Sequence, residues 1–144
     1  MNKIFPLESD HPLFRYFTES ERERIEAIGE VRRVGEGDFL IRAGENDSTL
    51  FAVEDGHLDI LAAREGQTSV VATVGPGDVL GEVSFLDDSP RTVSVQAGEA
   101  TTVRAWEKRT LSEALAFEPQ LLAKFAVALC ELLVERMRDN ARRV

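Results

Sequence analysis

Residues 77–97, Gly77-Asp78-Val79-Leu80-Gly81-Glu82-Val83-Ser84-Phe85-Leu86-Asp87-Asp88-Ser89-Pro90-Arg91-Thr92-Val93-Ser94-Val95-Gln96-Ala97, read as a compact device for holding a phosphate beside a sugar hydroxyl. A glycine opens a turn where backbone must approach a ligand. The short apolar segment behind it can form one helical turn whose N–H groups point at an anion, and Arg91 supplies a planar cationic fork. Glu82 places a carboxylate in the same pocket. An acceptor beside an anion site is repulsive unless it serves a hydroxyl, so phosphate plus ribose is the economical ligand class.

Outward from that stretch, residues 31–106 carry short alternating or β-branched runs separated by glycines. Strands are expected at 31–34, 39–41, 49–54, 57–62, 68–74, 92–97 and 101–106, with turns at 35–37, 44–48, 55–56, 65–66, 75–78 and 98–99. Seven or eight strands at this spacing imply a closed or sandwiched antiparallel roll. The flanks read as helical. Over 10–29, two short helices are expected, with Ser20 or Thr18 as a cap, Leu13, Phe14, Phe17, Ile25 and Ile28 turned inward and Gly29 closing the second. A short helix is expected over 110–117. Pro119 then stands where a first-turn proline is tolerated, ahead of a long helix over 120–142. Its apolar residues Leu121, Leu122, Phe125, Ala128, Leu129, Leu132, Leu133 and Met137 follow steps of three and four over a wide arc. A stripe of Leu122, Phe125, Leu129, Leu132 and Leu133 is too broad for one contact with a barrel, so a homodimer through this helix is expected.

The 77–97 stretch resembles the phosphate-binding cassette of cyclic nucleotide-binding domains, a Phe-Gly-Glu-x-Ala-Leu run followed by Pro-Arg-[Ala/Thr]-Ala-[Thr/Ser]-Val. Here the run is Leu80-Gly81-Glu82-Val83-Ser84-Phe85, then Pro90-Arg91-Thr92-Val93-Ser94-Val95. Gly37-Asp38-Phe39-Leu40-Ile41-Arg42-Ala43-Gly44-Glu45 and Leu50-Phe51-Ala52-Val53-Glu54-Asp55-Gly56 match two further family patterns, so the resemblance covers roughly the whole chain. It implies a mainly β fold with flanking helices: an antiparallel β-roll with short N-terminal helices (1–118) and a C-terminal lid or dimerisation helix (119–144). It also implies that Gly81, Val83 and Ser84 present backbone groups to a cyclic phosphate, that Arg91 pairs with its charge, and that Glu82 accepts from the ribose 2′-OH. Thr92 is similar to a threonine that reaches a guanine substituent in some members, although some cAMP-preferring members carry it too, which leaves cAMP and cGMP both open. The catabolite-activator branch uses the helix after the roll as a parallel dimer seam and places base-contacting residues near its far end. Arg136 and Arg138 become lid residues on that resemblance, with no choice between them. Three departures from the pattern stand out. Leu80 stands for an aromatic, Ser84-Phe85 for Ala-Leu, and Val93 adds bulk where alanine is common. The implied activity is a non-enzymatic cyclic nucleotide sensor that repositions its C-terminal helix toward a downstream protein; the alternative is a barrel that keeps the fold without ligand and acts as a dimerising or docking module.

Composition narrows the classes. A chain of 144 residues with 43% apolar and 30% charged residues has the size and balance of one globular module. No apolar run spans a bilayer and the N-terminus lacks a signal-peptide core, so a cytoplasmic protein without membrane attachment is expected. The single Cys130 has neither a disulfide partner nor metal-binding companions at ligand spacing. A net charge of −9 argues against an intrinsic nucleic-acid grip. The cluster Arg136, Arg138, Arg142 and Arg143 reads as a solvated helix end complementing the helix dipole. Nothing after Val144 supplies a helix-turn-helix, so the expectation is a chain acting without DNA or a fragment of a longer protein. His11 and His57 stand alone and read as a cap and a wall residue. Asp87-Asp88 reads as a polar turn before Ser89-Pro90, and no nucleophile triad, phosphate-loop motif or metal spacing is present, so neither enzyme nor cofactor is expected.

Overall fold

The computed structural model describes residues 7–142, with side chains through Asn140. The chain divides into two compact units: Gly29–Lys108 lie in the first, and Glu8–Ile28 with the chain from Arg109 onward form the second. In chain order the elements are a 3-10 turn Pro12–Phe14, α1 Glu19–Ile28, β1 Glu30–Val34, β2 Phe39–Ile41, β3 Thr49–Asp55, β4 Leu58–Arg64, β5 Gln67–Val74, β6 Val79–Leu80, α2 Glu82–Asp87, β7 Ser94–Ala97, β8 Thr101–Glu107, α3 Lys108–Ala114 and α4 Pro119–Arg142.

The first unit is built from two four-stranded antiparallel sheets, ordered β1-β8-β3-β6 and β2-β7-β4-β5. The run Leu50–Val53 lacks polar alternation because β3 is an inner strand buried on both faces. Phe51 and Val53 on one face join Val34, Ile41, Leu58, Leu80, Val95 and Val103 in the core between the sheets. On the other face Glu54 and Arg104 form a buried ion pair, Nε to Oε2 at 2.7 Å. The β4–β5 hairpin turns on Glu65 (φ 53°) and Gly66 (φ 78°), the paired left-handed residues of a two-residue turn that matches strand twist.

Two strands differ from expectation. Val79-Leu80 form β6 against Phe51 and Ala52 of β3, a two-residue pairing too short to leave a periodic signal. β7 begins at Ser94 rather than at 92, because Arg91 is tied by its own backbone to the loop before β3: Arg91 N–H donates to Glu45 at 2.9 Å, and Gly44 N–H donates to Arg91 at 2.7 Å.

In the second unit His11 caps the 3-10 turn, its Nδ1 accepting from Leu13 N–H at 3.0 Å. Thr18, not Ser20, caps α1. Its Oγ1 accepts from Glu21 N–H at 3.2 Å while its own N–H donates to Glu21 Oε1 at 2.9 Å, a reciprocal capping box. Lys124 of α4 closes on Glu21 at 2.9 Å. The expected dimer stripe requires a correction. Phe125 and Leu129 are 0% exposed and spent on the monomer's own packing, whereas the exposed large apolar residues of α4 are Val127, Val134 and Met137. The helix turns its bulkiest face inward because large side chains gain most from burial.

Candidate functional site

The stretch 81–91 folds around one glycine. Gly81 has φ 83° and ψ 15° and serves as the N-cap of α2 without a side-chain capping bond. A Cβ there would lie 2.6 Å from Arg91 Nη1 and 2.8 Å from the Thr49 carbonyl, so both conformation and space demand glycine. The helix behind it is one short turn, with Glu82, Ser84 and Phe85 buried and Val83 exposed. The first N–H groups of any helix lack intrahelical partners, and here they belong to Glu82, Val83 and Ser84.

Arg91 is 5% exposed, an unusual depth for a charged side chain. Its Nη2 donates to the Thr49 carbonyl at 2.7 Å and lies 3.2 Å from Asp47 Oδ2; Nη1 reaches the Gly81 carbonyl at 3.4 Å. The guanidinium carbon stands 5.8 Å from the centre of the Phe51 ring. Nε is buried with no hydrogen-bond partner among the described residues. Burial alone would raise the Asp47 carboxyl, but hydrogen bonds from Thr49 and Arg91, with the charge of Arg91, overcome it and hold the group below the usual carboxylate range.

The segment 47–49 anchors both ends of this stretch. While Asp47 and Thr49 hold Arg91, Ser48 Oγ donates to Asp88 Oδ1 at 2.7 Å, and Lys108 Nζ reaches Asp88 Oδ2 at 3.1 Å. Asp88 occupies the left-handed region at φ 60° and closes α2. Asp87 accepts from Ser89 N–H at 2.9 Å, the polar turn expected there. The arrangement can recognise an anion beside a hydroxyl: a buried cationic fork, a helix start without a side-chain cap and a buried carboxylate.

The structure brings Gly81, Glu82, Val83, Ser84 and Arg91 into one continuous stretch, with Thr92 exposed next to Arg91. Val93 is half-buried and packs against the core. Arg136 and Arg138 are exposed residues of α4, in the other compact unit; Arg143 and the side chain of Arg142 lie outside the described residues. Asp47, Ser48 and Thr49 were missed by the sequence reading. Asp47 and Ser48 stood in the expected turn 44–48 and Thr49 opened the expected strand 49–54, and nothing local links them to a residue 44 positions away from Asp47.

The family model of the cyclic nucleotide-binding domain matches residues 31–116, more than half of the chain. The chain belongs to that family. Among relatives, it is 32% identical over 104 residues to the cAMP-dependent protein kinase regulatory subunit of Mycosarcoma maydis, a match covering 72% of this chain and 20% of that protein. It thus spans about a fifth of that relative. The crystal structure of the Thermus thermophilus catabolite activator protein superposes with a TM-score of 0.80 at 26% identity, covering 92% of this chain and 61% of that one. A cyclic nucleotide-binding domain from Methylobacillus flagellatus, 24% identical with a TM-score of 0.82 over 89% of this chain and 72% of that one, supports the fold. Among the described residues, no helix is long and apolar enough to cross a membrane, and no cluster of His, Cys, Asp and Glu is arranged to hold a metal.

Proposed function

We propose that this chain is a non-enzymatic cyclic nucleotide sensor for cAMP or cGMP. The observation that carries the reading is Arg91: a buried guanidinium retaining an unpartnered Nε, beside a glycine-started helix turn. In the bound state backbone groups of Gly81, Val83 and Ser84 take the cyclic phosphate, Arg91 pairs with its charge, and Glu82 accepts from the 2′-OH. Thr92 bears on base choice, and either Arg136 or Arg138 caps the base. Signalling requires that ligand bind one pose of the C-terminal helix better than another, since equal affinity for both shifts nothing. The recipient is a downstream protein. On this reading the protein acts in the cytoplasm, without a nucleic-acid or membrane partner of its own.

The test is calorimetric titration with cAMP and cGMP, which should give saturable heats. Glu82→Gln should discriminate less than the parent between cAMP and its 2′-deoxy analogue; equal discrimination would make Glu82 structural. A second reading, a docking module without ligand, is favoured by one observation: Arg91 already has Asp47 and two carbonyls as partners, so the fold does not need a phosphate to satisfy it. Absence of heat with both nucleotides would establish that reading instead.

Homodimerisation through α4 belongs to the same proposal, on a seam different from the one read in the sequence. Val127, Cys130, Val134 and Met137 are exposed and recur at steps of three, four and three, the spacing of a two-stranded seam. A parallel, in-register pair would bring the two Cys130 thiols together, so mild oxidation should yield a disulfide-linked dimer.

A further inference from the structure

Three arginines, Arg32, Arg33 and Arg42, line one open concavity of about 660 Å³ on a chain whose net charge is −9. It is bounded by β1, β2 and the turn between them. β1 and β2 are each the end strand of their own sheet: among the described residues β1 pairs with β8 alone and β2 with β7 alone. Successive strand residues point to opposite faces, so Arg32 and Arg33 straddle the edge of β1 instead of converging on one point. Arg32 leans inward, its guanidinium carbon 5.7 Å from the Phe51 ring centre and its Nε 2.8 Å from the exposed Glu30. Arg33 is exposed. The Arg42 guanidinium carbon stands 4.4 Å from the centre of the Phe39 ring, a cation–π contact. Among the described residues neither Arg33 nor Arg42 takes part in an ion pair.

We propose that the free edge of β1 accepts an extended acidic segment of a partner protein as an added strand. Backbone hydrogen bonds to an unpaired strand edge supply the affinity, and alternate side chains supply the selection. Adjacent carboxylates on such a segment point to opposite faces and meet Arg32 and Arg33, and a further one reaches Arg42. A compact multiply charged phosphate fits less well, because the cations are spread between β1 and the residue that follows β2, and Asp38 also lines the concavity. The competing account is protective: charged side chains on an edge strand keep it from pairing with anything. This inference goes beyond the cyclic nucleotide reading and does not depend on it.

The experiment uses the full chain and a fluorescein-labelled peptide, Val-Glu-Glu-Val-Glu-Glu-Val, followed by anisotropy at low salt. Saturable binding is expected, weakened about tenfold or more by Arg33→Glu with Arg42→Glu, with cyclic nucleotide binding unchanged. A peptide N-methylated at alternate residues should not bind, and the parent's amide resonances at Glu30–Val34 should shift on adding the unmodified peptide, a readout that needs no variant. Should the double variant fail to fold, Arg42→Gln alone replaces it. The proposal is overturned by any of four results: no saturable binding, unchanged affinity in the folded variant, equal binding of the N-methylated peptide, or equal displacement by inorganic pyrophosphate or phosphatidylserine vesicles.

Discussion

Arg91 combines the structural contacts seen in the fold with the ligand role proposed for it. Bridging the Thr49 and Gly81 carbonyls and Asp47, it holds separate segments of the first unit together, while its buried Nε has no hydrogen-bond partner among the described residues. Arg91→Ala should therefore weaken cyclic nucleotide binding ten- to a hundred-fold, about 1.5–3 kcal/mol, and lower thermal stability as well, since it strips buried acceptors of their donor. Sequence reasoning expects only the first effect. Calorimetry separates the two from a thermal melt: unchanged binding by a folded variant would displace the site from Arg91. Arg91→Lys should recover part of the affinity, because an ammonium keeps the charge and loses the fork.

At the scale of elements, the ends and faces of helices carry the testable energetics. α1 starts on the reciprocal pair of Thr18 and Glu21, and Thr18→Ala should cost about 0.5–2 kcal/mol of stability in denaturant melts, with Thr18→Ser close to the parent. No loss on Thr18→Ala would mean that Lys124, which also holds Glu21, fixes the helix start by itself. α4 divides its apolar residues between two uses. Leu129 is 0% exposed, so Leu129→Glu should unfold the second unit instead of yielding a monomer, whereas Val134 and Met137 are 45% and 62% exposed. Val134→Glu with Met137→Glu should thus give a folded monomer in sedimentation. A parent that already sediments as a monomer at micromolar concentration would dismiss the seam.

On the scale of the whole molecule, acid sensitivity follows from carboxyls that folding holds below their ordinary values. Glu21 is lowered by the Thr18 N–H and then by Lys124, Asp87 by Ser89, Asp88 by Ser48 and then Lys108, and Asp47 by Thr49 and Arg91 against the opposing effect of burial. A group whose value is lower folded than unfolded stabilises above its unfolded value and loses that contribution as pH falls through the folded one. Stability should accordingly decline below about pH 4, where an unperturbed carboxyl is half protonated. Asp47→Asn should make the decline shallower without abolishing it, as three other carboxyls remain. A melting temperature that is flat from pH 6 to about pH 3 would contradict this ordering of the titrations.

Much of the design was legible along the chain because its causes are local. Glycines at turns, β-branched runs between them and the Gly81-Glu82 to Pro90-Arg91 spacing placed seven of the eight strands, the long helix and the stretch that forms the candidate site. Local signals failed where an outcome depends on a distant partner. β6 exists only because Phe51 and Ala52 offer it an edge, and β7 starts late only because Arg91 is fastened to Gly44 and Glu45. Periodicity shows that α4 is apolar over a wide arc but cannot say which part of the arc is buried, since that is set by what packs against it. In the same way the sequence supplied an arginine suited to an anion. Only the tertiary structure, by folding Asp47 and Thr49 against it, decided that its charge is already matched before any ligand arrives.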